Sequence, residues 1–195
     1  MRVECGAAKM IYVSTEKRQR IFIGIPIGKP VQQAIDRLLV PLKPHSRYLR
    51  WVPAGNRHLT LAFLGDIPVG DVETLLGVFN RTYRRYGPFH YGFSALERFP
   101  NARGRIIALT GEASEPLHSL AMTTRDMLQV SGLDFERKKF RPHVTLARVR
   151  KPKLPLPELD HPVQVDIDVN RIVVYRSTLT ESGSIYTELT AAELH

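Results

Sequence analysis

The chain contains a single cysteine, Cys5, in 195 residues. That count excludes an intrachain disulfide framework and a zinc site built on several thiolates. No apolar run approaches the roughly 20 residues that a membrane-spanning helix requires. Glu4, Lys9, Glu16, Lys17 and Arg18 interrupt any signal-peptide core at the start. G-x-G-x-x-G and Walker-type phosphate loops are both missing, so nothing points to nucleotide-driven chemistry. G-x-S-x-G is missing as well, and Cys5 has no setting for nucleophilic work, which sets aside the serine and cysteine hydrolases. Acidic residues are the scarce charge, 19 Asp and Glu against 28 Lys and Arg, for a net charge of +9. A surplus of that size favours a polyanionic partner. A chain of this composition is expected to be globular and cytoplasmic.

What the chain does have is one phrase written twice. His58-Leu59-Thr60-Leu61-Ala62 returns as His143-Val144-Thr145-Leu146-Ala147, 85 residues later. Each copy alternates polar and apolar residues, the signature of a half-buried strand. A side-chain period of two puts His58 with Thr60 on one face and His143 with Thr145 on one face. Leu59, Leu61, Val144 and Leu146 then point into a core. Two imidazoles and two hydroxyls on matched strands suit acid–base chemistry on a phosphate. Arginine crowds the second copy, with Arg137, Arg141, Arg148 and Arg150 beside Lys138 and Lys139. Its bidentate donors match phosphate oxygens.

Hydrophobic periodicity orders the rest. Arg20–Ile27 reads as a buried strand, Pro30–Leu42 as an amphipathic helix, Tyr48–Val52 as a short strand, and the first motif strand closes at Gly65-Asp66. Val69–Tyr86 reads as a second helix, Phe89–Leu96 and Arg105–Leu109 as strands, and Ser114–Val130 as a third helix. The second motif strand spans Phe140–Val149. A Pro-rich connector, Pro152 to Pro162, leads to two last strands near Val163–Tyr175 and Ser184–Leu189. The expected fold is α+β and bilobal: two pseudo-repeated lobes, each a mainly antiparallel sheet with helices on its outer face, with a cleft between them. Residues 1–19 read as an N-terminal extension and residues 20–195 as one domain.

At the two motifs the chain resembles the two-histidine phosphoesterase superfamily, and within it the RNA 2′,3′-cyclic phosphodiesterases, also called RNA 2′-5′ ligases. The likeness includes RIFIGIPI from Arg20, the block LRWVPAGNRHLTLAFLGD at Leu49–Asp66, KKFRPHVTLARVR at Lys138–Arg150, and a closing pattern of Tyr175-Arg176-Ser177, Gly183 and Tyr186. It implies a basic central groove and hydrolysis of an RNA terminal 2′,3′-cyclic phosphate to a 2′-phosphomonoester. It also implies a reverse activity that joins RNA ends through a 2′-5′ linkage. No cofactor is expected for the hydrolysis. The implied partners are RNA ends bearing the cyclic phosphate, transfer-RNA fragments among them, acted on by a monomer that does not engage membranes.

Opening the cyclic phosphate in line requires a base for the entering water and an acid for the departing 3′ oxygen. The resemblance assigns His58 as the acid and His143 as the base; the residues themselves leave that order open. Thr60 and Thr145 are expected to hold the non-bridging oxygens, and Arg141 to neutralise charge there if strand alternation carries it onto the same face. Trp51, Tyr12, Phe22, Phe140 and Tyr186 are candidates to stack on a base, with Phe140 preferred for its place beside the second motif. His45, His90, His118 and His161 lack the threonine context. Two rivals stand beside this reading. A metal-dependent phosphodiesterase would need carboxylates in phase with the histidines, and neither motif has one. A non-catalytic RNA-end-binding module would keep the groove without turnover.

Overall fold

The computed structural model describes residues 17–150, 161–181 and 183–195. Cys5, Tyr12, most of the expected extension and nearly all of the Pro-rich connector lie outside the described residues. The described chain forms β1 (Arg18–Pro26), α1 (Lys29–Leu38), β2 (Leu49–Trp51), β3 (His58–Pro68), α2 (Val69–Thr82), β4 (Phe89–Phe99), β5 (Ile106–Thr110), α3 (Glu115–Val130), β6 (His143–Val149), β7 (His161–Val169), β8 (Arg171–Thr180) and β9 (Gly183–Glu193).

Local chemistry sets the boundaries. α1 stops at Leu38, short of the expected Leu42. Pro41 and Pro44 lack the N–H that an α-helix needs, and the chain tightens into a 3-10 stretch over Val40–Tyr48. α3 ends where Gly132 takes φ +70°, with the Leu133 N–H donating back to the Leu128 carbonyl. The expected strand Val163–Tyr175 is two strands, β7 and β8, separated by Asn170, a turn-forming residue. β6 starts at His143 rather than Phe140, because Pro142 cannot donate to a ladder. Phe140 and Arg141 therefore precede the strand. β1 begins two residues earlier than expected, since Arg18 and Gln19 pair with Pro68 and Ile67.

All the strands join one antiparallel sheet in the order β7-β4-β5-β6-β3-β1-β8-β9, and β2 lies off that path against β6. The sheets expected of the two lobes are continuous: the motif strands β3 and β6 are neighbours at the centre, joined through the single pair Leu59↔Val144. Nor does each side come from one half of the chain, because the C-terminal strands β8 and β9 lie beyond β1.

One face of the sheet carries the core. Ile21, Ile23 and Ile25 of β1, Leu59 and Leu61 of β3, and Val144 and Leu146 of β6 form one cluster with Ile35 of α1, Phe79 of α2 and Leu120 of α3. Burial of each such side chain contributes roughly 1.5–3 kcal/mol. The helices divide between the two sides of the seam: α1 lies against β7, while α2 lies against β1, β3 and β9 and α3 against β3. The opposite face carries none of the described helices around β3 and β1. It holds a small second cluster, Phe22, Val173 and Tyr175, with Phe63, Tyr186 and Ala191 packed on it.

Candidate active site

The single Leu59↔Val144 pair fixes where the motif side chains stand. Continuing that antiparallel register by one residue in each direction puts Thr145 opposite His58 and His143 opposite Thr60. Leu59 and Val144 are fully buried in the core, while the two histidines and two threonines are half-buried on the other face. On that continued register the imidazoles lie on one diagonal of a catalytic square and the hydroxyls on the other. Directly opposite residues in such a ladder lie roughly 4.5–5.5 Å apart, a spacing that suits one phosphate over the seam.

Both imidazoles are held the same way. Nδ1 of His58 lies 2.8 Å from the Asn56 carbonyl, and Nδ1 of His143 lies 2.9 Å from the Arg141 carbonyl. A carbonyl only accepts, so each Nδ1 carries the proton and each Nε2 is the working nitrogen. Each ring also lies on a phenylalanine. Phe22 stacks on His58 with centroids 4.5 Å apart, and Phe99 stacks on His143 at 4.1 Å. Tyr186 closes on His58 edge-on at 5.3 Å. Asn56 is fixed in turn, its Nδ2 donating to the Ser184 carbonyl at 2.6 Å. Arg57, buried and paired with Asp36 at 2.7 Å, pins the start of β3 to α1.

This enclosure sets the protonation of the pair. Burial pushes His58 down to about 4, against the smaller upward pull of the Asn56 carbonyl, and His143 lowers it further. His143 is lowered as well, again mainly by burial, with the Arg141 and Arg148 guanidiniums acting in the same direction. Both rings are neutral in the free protein near pH 7.

The motif strands share a second device. In β3, Thr60 pairs with Gly24 and Ala62 with Ile23, leaving Leu61 as an extra residue; in β6, Thr145 pairs with Ala108 and Ala147 with Ile107, leaving Leu146 extra. Each strand bulges at the third residue after its histidine. Leu61 with Ala62, and Leu146 with Ala147, consequently all face the core. Phe63 and Arg148, five residues after their histidines, turn onto the site face. Strict alternation would have buried both. The doubled apolar pairs Leu61-Ala62 and Leu146-Ala147 were the sequence signal for this shift. Arg148 also stands directly across from Arg50 of β2.

Arg141 reaches the site by another route than strand alternation. Its carbonyl holds His143, its guanidinium lies 4.7 Å from the Phe99 centroid, and its Nη1 donates to the Pro100 carbonyl at 2.9 Å. Phe140 packs against the main core and lines a cavity beside the site rather than touching either imidazole. Trp51 also packs on the core, its indole N–H donating to Ser46. The rings that do touch the imidazoles are Phe22, Phe99, Tyr175 and Tyr186. Gly24 was missed too. A Cβ there would lie 2.9 Å from the Leu59 carbonyl oxygen and 3.3 Å from Cδ2 of His58. A glycine inside an otherwise β-branched strand was the available clue. Among the described residues, no three His, Cys, Asp or Glu side chains gather as a metal site would need.

Comparison with known proteins places the chain in a family. Residues 28–181 match the model of the 2′-5′ RNA ligase superfamily. An RNA 2′,3′-cyclic phosphodiesterase of Thermotoga maritima is 30% identical over 174 residues, covering 86% of this chain and 91% of that one. The crystal structure of TT0787 from Thermus thermophilus superposes with a TM-score of 0.76 at 27% identity, over 90% of this chain and 97% of the other. Apo LigT of E. coli superposes with the same TM-score, 0.76, at 25% identity, over 91% and 98%. The chain belongs to the 2′-5′ RNA ligase superfamily.

Proposed function

We propose that this protein is an RNA 2′,3′-cyclic phosphodiesterase that opens a terminal cyclic phosphate to a 2′-phosphomonoester without a metal. The observation that carries the reading is the diagonal pair of imidazoles, each with Nδ1 tied to a carbonyl and Nε2 left to act. The groups around them are hydroxyls, guanidiniums and aromatic rings, a surrounding that suits an anion and not a cation. His58 acts as the acid toward the ribose 3′ oxygen and His143 as the base toward water. Thr60 and Thr145 donate to the non-bridging oxygens. Arg141 and Arg148 offset the charge that builds on them.

The depressed pKa values fit this scheme once substrate binds. A phosphate anion between the rings favours the protonated imidazole, so one ring takes up a proton on binding and serves as the acid. Each proton transfer contributes a factor of roughly 10² to 10⁴. Natural partners are RNA ends with the cyclic phosphate, transfer-RNA fragments among them, met by a monomer in the cytoplasm. No helix of the described residues is long and apolar enough to cross a membrane.

The test is an oligoribonucleotide ending in a 2′,3′-cyclic phosphate. The expected product is the 2′-phosphate, formed equally well after EDTA treatment. His58→Ala and His143→Ala should each lower kcat by at least about 10². Salt-sensitive binding with no conversion would instead mark an RNA-end-binding module, and loss of turnover in EDTA would restore the metal-dependent rival.

A further inference from the structure

Stacking on Phe22 fixes the plane of the His58 ring but not which nitrogen the ring presents. A half-turn about the Cβ–Cγ bond keeps the stacked face and exchanges Nε2 for Cε1, and such terminal torsions are broad and roughly two-fold. The Asn56 carbonyl removes that freedom, because it accepts from Nδ1 at 2.8 Å and leaves Nε2 as the free nitrogen. The orientation of His58 is therefore only as firm as the position of that carbonyl. It belongs to a 3-10 turn of three residues, Ala54–Asn56, whose N-cap Pro53 supplies no side-chain hydrogen bond. Hydrogen bonds in such a turn have poor geometry, so the turn depends on outside anchors.

Two elements grip it. From α1, Gln32 Nε2 donates to the Ala54 carbonyl at 2.8 Å, and Gln32 Oε1 accepts in turn from Arg57 at 3.0 Å. From the start of β9, the Ser184 carbonyl accepts from Asn56 Nδ2 at 2.6 Å, a bond between residues 128 positions apart. Two residues along the same strand, Tyr186 meets the His58 ring edge-on at 5.3 Å. One residue earlier, Gly183 lies so close to Arg50 that a Cβ would come 2.9 Å from Nη2. The start of β9 is thus seated closely, and it bears on His58 both at the ring edge and through Asn56.

We propose that Asn56 is a positioning residue for His58: its side-chain amide ties the turn to β9, and that tie keeps the Asn56 carbonyl on Nδ1. The inference deepens the phosphodiesterase reading and rests on it for the kinetic consequence. Asn56 acts through His58 and not on the phosphate. The tie needs a donor at this length, which an ionised aspartate of the same shape does not have and alanine does not reach. Without it the turn shifts, and the ring samples the flipped orientation that exchanges Nε2 for a carbon. Molecules in that orientation have no acid at the 3′ oxygen, while Thr60, Thr145 and the arginines still hold the phosphate.

The experiment compares wild type with Asn56→Asp and Asn56→Ala by two readouts. One is steady-state hydrolysis of an oligoribonucleotide ending in a 2′,3′-cyclic phosphate. The other is the proton–nitrogen correlation spectrum of the histidine rings in the free protein near neutral pH, which separates protonated from unprotonated nitrogens and needs no substrate. Wild type should show His58 as a single tautomer with its proton on Nδ1. In both variants kcat should fall about 10-fold or more while KM stays within about twofold. The His58 nitrogens should move toward a mixture of tautomers while those of His143 hold. Asn56→Asp preserves the side-chain shape and decides the matter if Asn56→Ala does not fold. Unchanged kcat overturns the proposal, and so does a loss carried by KM. A fall in kcat with the His58 nitrogens unmoved overturns it too, as does an equal shift at His143, which would mark a general loosening. A wild type that leaves the cyclic end intact overturns the phosphodiesterase reading instead, and the ring spectra then still decide whether Asn56 holds His58.

Discussion

Burial lowers both motif imidazoles, His58 to about 4, and the two proposed roles need opposite protonation states. The productive free enzyme is the one in which the pair carries a single proton. Because both values are lowered, that form becomes more populated as pH falls from 6.5 toward 4, and falls away again once both rings are protonated. The profile of kcat/KM reports the free enzyme, so its optimum is expected below pH 6.5. The profile of kcat reports the complex, where the bound phosphate anion raises the same pair, so its optimum lies at higher pH. The two apparent values in each bell belong to the coupled pair rather than to either ring. Measuring both profiles on one cyclic-phosphate substrate checks this, and a kcat/KM optimum at or above that of kcat would contradict the burial argument.

Each motif strand has a core on one side and the proposed phosphate site on the other, and the matched bulges at Leu61 and Leu146 reconcile the two. They leave the histidine and threonine in phase while returning Phe63 and Arg148 to the open face. The neighbouring strand must then come close, and at Gly24 it does. Gly24→Ala introduces a carbon 2.9 Å from a backbone oxygen and 3.3 Å from the His58 ring, and the backbone cannot yield cheaply. The expected cost is about 1–3 kcal/mol of stability together with a fall in kcat of about 10-fold or more, as the ring is displaced. Gly77→Ala in α2, where a Cβ meets nothing within 4 Å, is the control. There the expectation is a gain of about 0.4–1 kcal/mol and unchanged turnover. Thermal unfolding and steady-state kinetics on the pair separate the effects. The same strands show what the sequence discloses. The facing of His58, Thr60, His143 and Thr145 follows from period-two alternation and was legible. The bulges were legible only as doubled apolar residues, which a buried strand also shows. Phe22 and Phe99 were not legible as stacking partners, because which strands lie beside a motif is decided by sheet order, a long-range property. Arg141 was assigned from an alternation that Pro142 interrupts, and it reaches the site through its carbonyl and the Phe99 ring instead.

At the scale of the molecule, the central question is how a protein of net charge +9 holds an RNA end. The continuous sheet answers part of it, because β2 joins β6 and sets Arg50 directly across from Arg148. Like charges opposite each other in a ladder are destabilising, and neither guanidinium makes an ion pair or hydrogen bond among the described residues. The pair lies beyond the Thr145–His58 edge of the catalytic square, where the chain leading to the cyclic end can bring its own phosphates. Every phosphate neutralised there releases counterions, so kcat/KM for an oligonucleotide should fall as a power of salt concentration. Arg50→Ala is expected to reduce that log–log slope by about 0.7, the single-strand value for one phosphate contact, and to raise KM with kcat unchanged. A nucleoside 2′,3′-cyclic phosphate has no second phosphate to offer, so its hydrolysis should respond weakly both to salt and to the substitution. Salt titrations of kcat/KM on the two substrates, for wild type and variant, provide the measurement. An unchanged slope in the variant would mean that the Arg50–Arg148 edge does not touch the RNA, and that the positive surplus steers the chain from elsewhere on the surface.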